Sequence, residues 1–160
     1  MAAWSRMGRR FPASDSAISL FQEMKELENV SFKRCLLVAN GQEAPALRVF
    51  ADASQEAFGT CAYVRKKRSN DVYNVKFIAA KSRVAPLRQL TIPRLELQAA
   101  VLTSRLAKGI QEESRIQFGK VYFFTDSTIT LAWIQSLSRN FKPFVSSRIG
   151  EIQSDTDPSQ

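Results

Sequence analysis

Three acidic residues of the chain stand where carboxylates could act together. Asp52 ends the apolar segment 47–52, Asp126 follows the apolar segment 120–125, and Glu96 lies in the predicted first turn of a helix between them. In a mixed α/β sheet, functional sites gather outside the carboxyl ends of strands, so neighbouring strands would bring Asp52 and Asp126 to one edge. Carboxylates that converge there repel one another, and a hard divalent cation such as Mg²⁺ or Mn²⁺ relieves that repulsion.

Each of these carboxylates also has a purely structural interpretation. Asp52 before Ala-Ser and Asp126 before Ser-Thr are residue types favoured in turns and at helix N-caps. Glu96 near a helix N-terminus interacts favourably with the helix dipole. Taken singly, the residues favour the structural interpretation, and only their grouping at the ends of elements favours metal binding.

The composition limits the other functions that the chain could have. Its 160 residues carry a formal net charge of +8 and include no histidine, which excludes catalytic triads with an imidazole base. The isolated Cys35 and Cys61 exclude structural zinc. The charge favours a polyanionic partner, although a solvated basic surface explains it equally well. Without a membrane-spanning run or a signal sequence, we expect a cytoplasmic or nuclear protein.

Hydrophobic periodicity predicts the elements that must position the three carboxylates. They are strands at 47–52, 58–64 and 72–80, a helix from Pro93 to a stop at Gly109, a strand at 120–125, a helix after Asp126 to about Leu137, and a helix at 144–152. The strand at 120–125 follows a helix, so it should pair parallel to the first strand through a crossover. The prediction is an α/β fold of order β-β-β-α-β-α-α, with helices packed on a mixed sheet.

Several segments carry a family resemblance. They are FADASQEAFG at 50–59, AKSRVAPL at 80–87, LTIPRLEL at 90–97, TDST at 125–128 and FVSSRIGEIQ at 144–153. Together they resemble the ribonuclease H region in the polyproteins of BEL/Pao-type LTR retrotransposons, and the IPRLEL block is the most specific of them. The resemblance covers about residues 46–160 and implies an incomplete ribonuclease H-like domain. Residues 1–45 resemble the connector that follows the reverse-transcriptase segment in such polyproteins.

The resemblance implies roles for the three carboxylates. Asp52, Glu96 and Asp126 match the first three members of a catalytic quartet that holds two Mg²⁺ or Mn²⁺ ions. The implied reaction is hydrolysis of the RNA strand of an RNA–DNA hybrid, with ions ~3.5–4 Å apart that clamp the attacking and leaving oxygens. Asp52 would bridge both ions, and Glu96 and Asp126 would complete the ion on the leaving-group side.

Basic residues near these carboxylates in sequence are candidate contacts to the hybrid. Such contacts would be made to phosphates and to 2′-hydroxyl groups across a wide minor groove. The candidates are Lys81, Arg83, Arg88 and Arg94. Some of them could equally be solvated loop residues. The reverse-transcriptase segment of the parent polyprotein is a second expected partner, and no membrane is expected.

The end of the chain bears on the expected activity. In the resembled family the fourth carboxylate lies on a helix beyond a final strand, and this chain stops at Gln160 before either element. Asp155 and Asp157 fall too early to take that role. We therefore expect the last strand and helix to be missing and the two-ion site to lack one ligand. The alternatives are a metal-dependent endonuclease impaired by truncation and a non-catalytic nucleic-acid-binding module or decayed retroelement fragment.

Two further enzyme classes fit the sequence less well. An integrase-type polynucleotidyl transferase takes its last carboxylate from a helix after the second aspartate, where Glu151 is the nearest candidate, but the helix of Glu96 between the two aspartates argues against that order. A peptidase label is sometimes attached to this region of BEL/Pao polyproteins. An aspartic protease needs an Asp-Thr/Ser-Gly turn, and neither Asp52-Ala-Ser nor Asp126-Ser-Thr has the glycine.

Overall fold

The strands and helices follow one another in the predicted order. A computed structural model describes residues 43–68 and 72–157, with five isolated residues between 22 and 31. The elements are β1 Ala46–Ala53, β2 Ala57–Lys67, β3 Tyr73–Val84, α1 Ile92–Glu113, β4 Lys120–Thr125, α2 Thr128–Ile134, a 3₁₀ helix Ser138–Asn140, and α3 Pro143–Asp155. The predicted connector, 1–45, lies almost wholly outside the described residues, so its boundary stays a prediction.

The four strands form one mixed sheet in the order β3-β2-β1-β4. The first three strands form an antiparallel meander, and β4 pairs parallel to β1, with Ala46 opposite Lys120 and Ala51 opposite Thr125. Helix α1 makes the crossover between β3 and β4, as the sequence predicted. A bulge in β3, opposite Ala62 and Tyr63, shifts the alternation of its side chains. Odd-numbered residues before the bulge therefore face the same side of the sheet as even-numbered residues after it.

The side chains of β1 alternate between two environments. Leu47, Val49 and Ala51 are buried, whereas the intervening side chains face the other side of the sheet. Leu47 and Val49 pack against Leu106 and Ala107 of α1 and form the core between sheet and helix. Full burial of one such Leu or Val side chain contributes ~1.5–3 kcal/mol, so this layer holds α1 against the sheet.

A second core lies between α1 and α3. Leu97 and Val101 of α1 meet Val145, Ile149 and Ile152 of α3, and all five side chains are buried. Helix α1 is therefore buried on two sides, by the sheet and by α3. None of the described helices is both long and apolar enough to cross a membrane.

Two predicted helix boundaries were wrong. Helix α1 does not stop at Gly109 but continues to Glu113. Ile110 packs against the core, and this burial outweighs the cost of ~1 kcal/mol for a glycine inside a helix. Helix α2 ends at Ile134 rather than at about Leu137. The Gln153 amide donates hydrogen bonds to the carbonyls of Ile134 and Ser136, which satisfies acceptors freed by the early end.

Candidate active site

Asp52 and Asp126 lie beside each other at the carboxyl end of the only parallel strand pair among the described residues. The last residues that pair between β1 and β4 are Ala51 and Thr125, so Asp52 and Asp126 are the residues that directly follow this pair. Adjacent strands are ~4.8 Å apart, and both aspartate side chains are exposed. The sequence-based expectation of one shared sheet edge therefore matches the backbone arrangement.

Glu96 reaches the same edge from α1. It is the fifth residue of the helix, which begins at Ile92, so it lies in the second turn and not in the first as predicted. Its neighbours Leu95 and Leu97 are buried, whereas Glu96 is half-buried. Ser127 directly follows Asp126 in the chain, and its hydroxyl donates a hydrogen bond to Oε2 of Glu96. This contact ties the helix carboxylate to the end of β4.

Ser127 is a site residue that the sequence analysis missed. Its side chain is 7% exposed, and its Oγ also accepts a hydrogen bond of 3.1 Å from the backbone N–H of Thr130, which makes it the N-cap of α2. The Thr130 hydroxyl in turn lies 3.5 Å from the carbonyl oxygen of Pro93 in α1. A Ser-Thr pair after an apolar strand is a recognisable N-cap signal, although its contact with Glu96 is not readable from spacing.

The donor set suits a divalent cation, but the side chains do not converge as they stand. Asp52 Oδ1 accepts a 2.7 Å hydrogen bond from the backbone N–H of Ala53, and Glu96 is engaged by Ser127. Among the described residues, no three Asp, Glu, Cys or His side chains group closely enough to hold a metal ion. Carboxylate oxygens are the ligands that Mg²⁺ and Mn²⁺ prefer, so the residue types fit. Binding would require the side chains to rotate toward one another.

The four basic candidates differ in their relation to this edge. Lys81 and Arg83 lie on β3, and Lys81 lines a shallow groove together with Asp52 and Gly59. Arg88 is exposed in the segment before α1. Arg94, in the first turn of α1, lies with its guanidinium 5.2 Å from the ring centre of Phe144. The strand register sets Ser82 in line with Asp52 and Gly59 and pairs Lys81 with Thr60, so the Lys81 side chain does not point to the side of Asp52. Arg94 is turned toward α3.

The sequence profile of one protein family matches residues 12–127, more than two thirds of the chain and all three carboxylates. The family is described as the Pao retrotransposon-like RNaseH-like domain. The chain belongs to this family. The match begins well inside the segment predicted as a connector. No curated protein matches the chain significantly.

Two solved structures are similar to this Pao-like domain. One is the N-terminal RNase H domain of a Mycobacterium tuberculosis protein, solved as a fusion with maltose-binding protein. It is 12% identical, with a TM-score of 0.43 over 69% of this chain and 73% of that chain. The other is RNase H1 from the halophilic archaeon Halobacterium salinarum, 9% identical, with a TM-score of 0.38 over 70% of this chain and 76% of that chain.

Other acidic residues of the Pao-like domain are committed to ion pairs between α1 and α3. The Glu151 carboxylate accepts two hydrogen bonds, of 2.5 and 3.0 Å, from the Arg105 guanidinium. The Asp155 carboxylate accepts one of 2.7 Å from the Lys108 ammonium. These contacts raise the pKa of Arg105 and of Lys108 above their ordinary values, mainly through the hydrogen bonds. Glu151 is therefore occupied elsewhere, which weakens the integrase-type alternative.

Proposed function

We propose that this domain is a metal-dependent endonuclease that hydrolyses the RNA strand of RNA–DNA hybrids. The observation that supports this most is the parallel register of β1 and β4, which sets Asp52 beside Asp126. Ser127 holds Glu96 at the same edge. The family's description as RNaseH-like supports a nucleic-acid substrate.

The three carboxylates are the residues that would hold the ions. Divalent ions bound there neutralise charge on the phosphate under attack and make a bound water more acidic. The protein's part is to keep Asp52 and Asp126 at adjacent strand ends, where the sheet fixes their backbones. For Glu96 to take part, its carboxylate must leave the Ser127 hydroxyl, and Asp52 must leave the N–H of Ala53.

Lys81 and Arg83 are the best placed of the basic residues to orient a hybrid. Both are exposed on the edge strand β3, and Lys81 shares a groove with Asp52. Arg88 would contact the backbone beyond that groove. Arg94 would contribute only if it left the ring of Phe144.

A non-catalytic nucleic-acid-binding function is the second candidate. It is favoured by the separate engagements of Asp52 and Glu96, which leave no converged ligand set among the described side chains. A domain of this kind would keep the basic contacts and bind hybrids without cutting them. It predicts salt-sensitive binding with no dependence on divalent ions.

The test is cleavage of an end-labelled RNA–DNA hybrid by the 160-residue chain, with Mg²⁺, with Mn²⁺ and with EDTA. Asp52→Asn should abolish cleavage because it removes a negative charge from the three carboxylates that would hold the ions. Asp155→Asn is the matched control, since it makes the same chemical change at a carboxylate paired with Lys108. Double-stranded RNA and DNA of the same sequence test whether the hybrid is required.

The outcomes separate the two candidates. Metal-dependent cleavage that survives Asp155→Asn and disappears with Asp52→Asn supports the nuclease. Hybrid binding without cleavage in either metal, at equal affinity in EDTA, refutes the nuclease and supports the binding module. Cleavage that Asp52→Asn leaves unchanged would mean that another site, or a contaminant, does the chemistry.

A further inference from the structure

The edge strand β3 carries three basic side chains on the side of the sheet that α1 covers. Residues that pair directly across two antiparallel strands point to the same side of a sheet. Ala62 of β2 lies in the core with Leu106 of α1, so every second residue of β2 counted from Ala62 points toward the helix. The basic residues of β3 pair with residues of this set, namely Lys76 with Val64, Lys81 with Thr60 and Arg83 with Phe58. We call these three residues the basic row.

The bulge in β3 is what brings the basic row to one side of the sheet. Lys76 is even-numbered, whereas Lys81 and Arg83 are odd-numbered, so a regular strand would point Lys76 to the opposite side. The pairing register skips Ile78, and this extra residue turns Lys76 back to the helix side. Lys81 and Arg83 are consequently ~6.7 Å apart along the strand, and Lys76 lies about two such intervals before Lys81.

The basic row has no counter-charge within the described part of the chain. The side chains of Lys81 and Arg83 are exposed, and that of Lys76 is half-buried. None of the three takes part in an ion pair with a described residue. Like charges in a line on one strand create a positive potential, which attracts a partner that carries carboxylates or phosphates.

The same strand offers main-chain groups to a partner. With 12 residues, β3 is the longest strand of the described sheet, and it pairs on one side only, with β2. Along the outer side of such an edge strand, every second peptide group points away from the sheet. This edge lies at the far end of the sheet from β4, and the basic row lies on the helix side.

Main-chain groups and cations along one line fit an acidic β-strand better than other partners. A strand added to β3 would set its side chains beside those of β3, with the same repeat of ~6.7 Å on each side. A second copy of β3 would bring two rows of cations together, which is unfavourable. A nucleic acid would pair with the cations and leave the outward peptide groups to water. Only a strand with carboxylates at alternate positions would use both features, as peptides do that extend a sheet.

We propose that β3 binds an acidic segment of a partner protein, which adds to the sheet as a new edge strand. Carboxylates at alternate positions of the segment lie beside Lys76, Lys81 and Arg83, and its backbone pairs with that of β3. Lys81 and Arg83 are also the proposed contacts to a hybrid, so the acidic strand and the hybrid compete for them. The inference does not rest on nuclease activity, because strand addition needs neither metal nor cleavage.

The test is fluorescence anisotropy of a labelled, end-capped nine-residue peptide that alternates glutamate with valine, with the 160-residue chain in EDTA. A peptide of the same composition with contiguous glutamates and a peptide with lysine in place of glutamate are the comparison ligands, and both should bind more weakly. Lys81→Gln and Arg83→Gln should each weaken binding of the alternating peptide about 1.4-fold to fivefold, the effect of one cross-strand charge pair. Arg139→Gln removes the same charge from the exposed 3₁₀ helix and should leave binding unchanged.

Hydrogen exchange distinguishes strand addition from loose attraction between charges. Amide protons at alternate positions of β3 should exchange more slowly when the alternating peptide is bound, because they then donate to the added strand. The amide protons of β4 should exchange at an unchanged rate. An RNA–DNA hybrid should displace the peptide, since both use Lys81 and Arg83.

Several results would overturn the proposal. One is no binding of the alternating peptide at millimolar chain, or equal binding of the contiguous or lysine peptide. Another is binding that Lys81→Gln and Arg83→Gln leave intact, or that slows no exchange on β3. Binding of oligo(dT) that both variants lose, without peptide binding, would assign the basic row to a nucleic acid. Peptide binding with no cleavage of hybrids would support this proposal while refuting the nuclease.

Discussion

The hydroxyl of Ser127 joins Glu96 on α1 to the turn that follows β4, while its oxygen caps α2 through the N–H of Thr130. One buried side chain thus links the helix carboxylate, the strand end that carries Asp126, and the start of the next helix. The distance between Glu96 and the aspartate edge is consequently set by a hydrogen bond as well as by packing. This relationship gives the most direct way to test the architecture of the site.

Ser127→Ala should destabilise the domain by about 2 kcal/mol. The loss of an N-cap costs ~0.5–2 kcal/mol, and the loss of a hydrogen bond to a carboxylate adds to it. Urea unfolding followed by circular dichroism measures the change. Ser136→Ala is the control, because the Ser136 hydroxyl donates a hydrogen bond to the nearby carbonyl of Ala132 and does not link separate elements. If Ser127→Ala lowers the free energy of unfolding no more than Ser136→Ala does, the Ser127 hydroxyl does not stabilise the link between α1 and the turn after β4.

Divalent ions should stabilise the chain through Asp126. A ligand that binds only the folded state adds about 1.4 kcal/mol at ten times its Kd, so the melting temperature should rise with added Mg²⁺ or Mn²⁺. Asp126→Asn should lose this rise. In EDTA it should be at least as stable as the unchanged chain, since it relieves repulsion from Asp52. Asp155→Asn should keep the rise, and an equal loss in both variants would point to nonspecific ion binding.

Much of this arrangement was predictable because it depends on local patterns and on one topological rule. Alternating and helical periodicities predicted the element order, and the crossover predicted the parallel pairing that sets Asp52 beside Asp126. The helix stop at Gly109 was wrong because the burial of Ile110 is a tertiary effect that local propensity does not contain.

Other features depend on register, which the sequence pattern did not contain. The bulge at Ala62 and Tyr63 changes the alternation of β3, so the position of Phe77 beside Tyr63 could not be inferred from strand periodicity. The contact between Glu96 and Ser127 joins residues 31 positions apart, through side-chain geometry alone. The helix N-cap at Ser127 was the one signal in the sequence that could have indicated this residue.

Ile149→Ala should destabilise the domain by ~2–5 kcal/mol, which is the range for such truncations of a fully buried side chain. Ile149 is 0% exposed and lies in the core between α1 and α3. Because α1 carries Glu96, the same variant should weaken the metal-induced rise in melting temperature. Leu137→Ala, at a position 59% exposed, is the control and should change the urea midpoint little. Equal effects of the two substitutions would contradict the described packing of α3.

The ion pair between Lys108 and Asp155 should make a pH-dependent contribution to stability. Its 2.7 Å hydrogen bond is the main cause that raises the pKa of Lys108 above 10.5 in the folded chain. A raised pKa means that the folded state holds the proton more tightly than the unfolded state does. The stabilisation is therefore complete below the unfolded pKa and disappears as pH rises through the folded one.

Urea midpoints of the unchanged chain and of Asp155→Asn should differ by a constant amount from pH 7 to 9 and converge above about pH 10.5. The Lys108 ammonium should also titrate at lower pH in Asp155→Asn when followed by NMR. Lys120→Met, which removes an exposed lysine from the start of β4, should not alter the pH profile in this range. Profiles for the unchanged chain and Asp155→Asn that stay parallel well above the unfolded pKa of lysine would show that the ion pair does not form in solution.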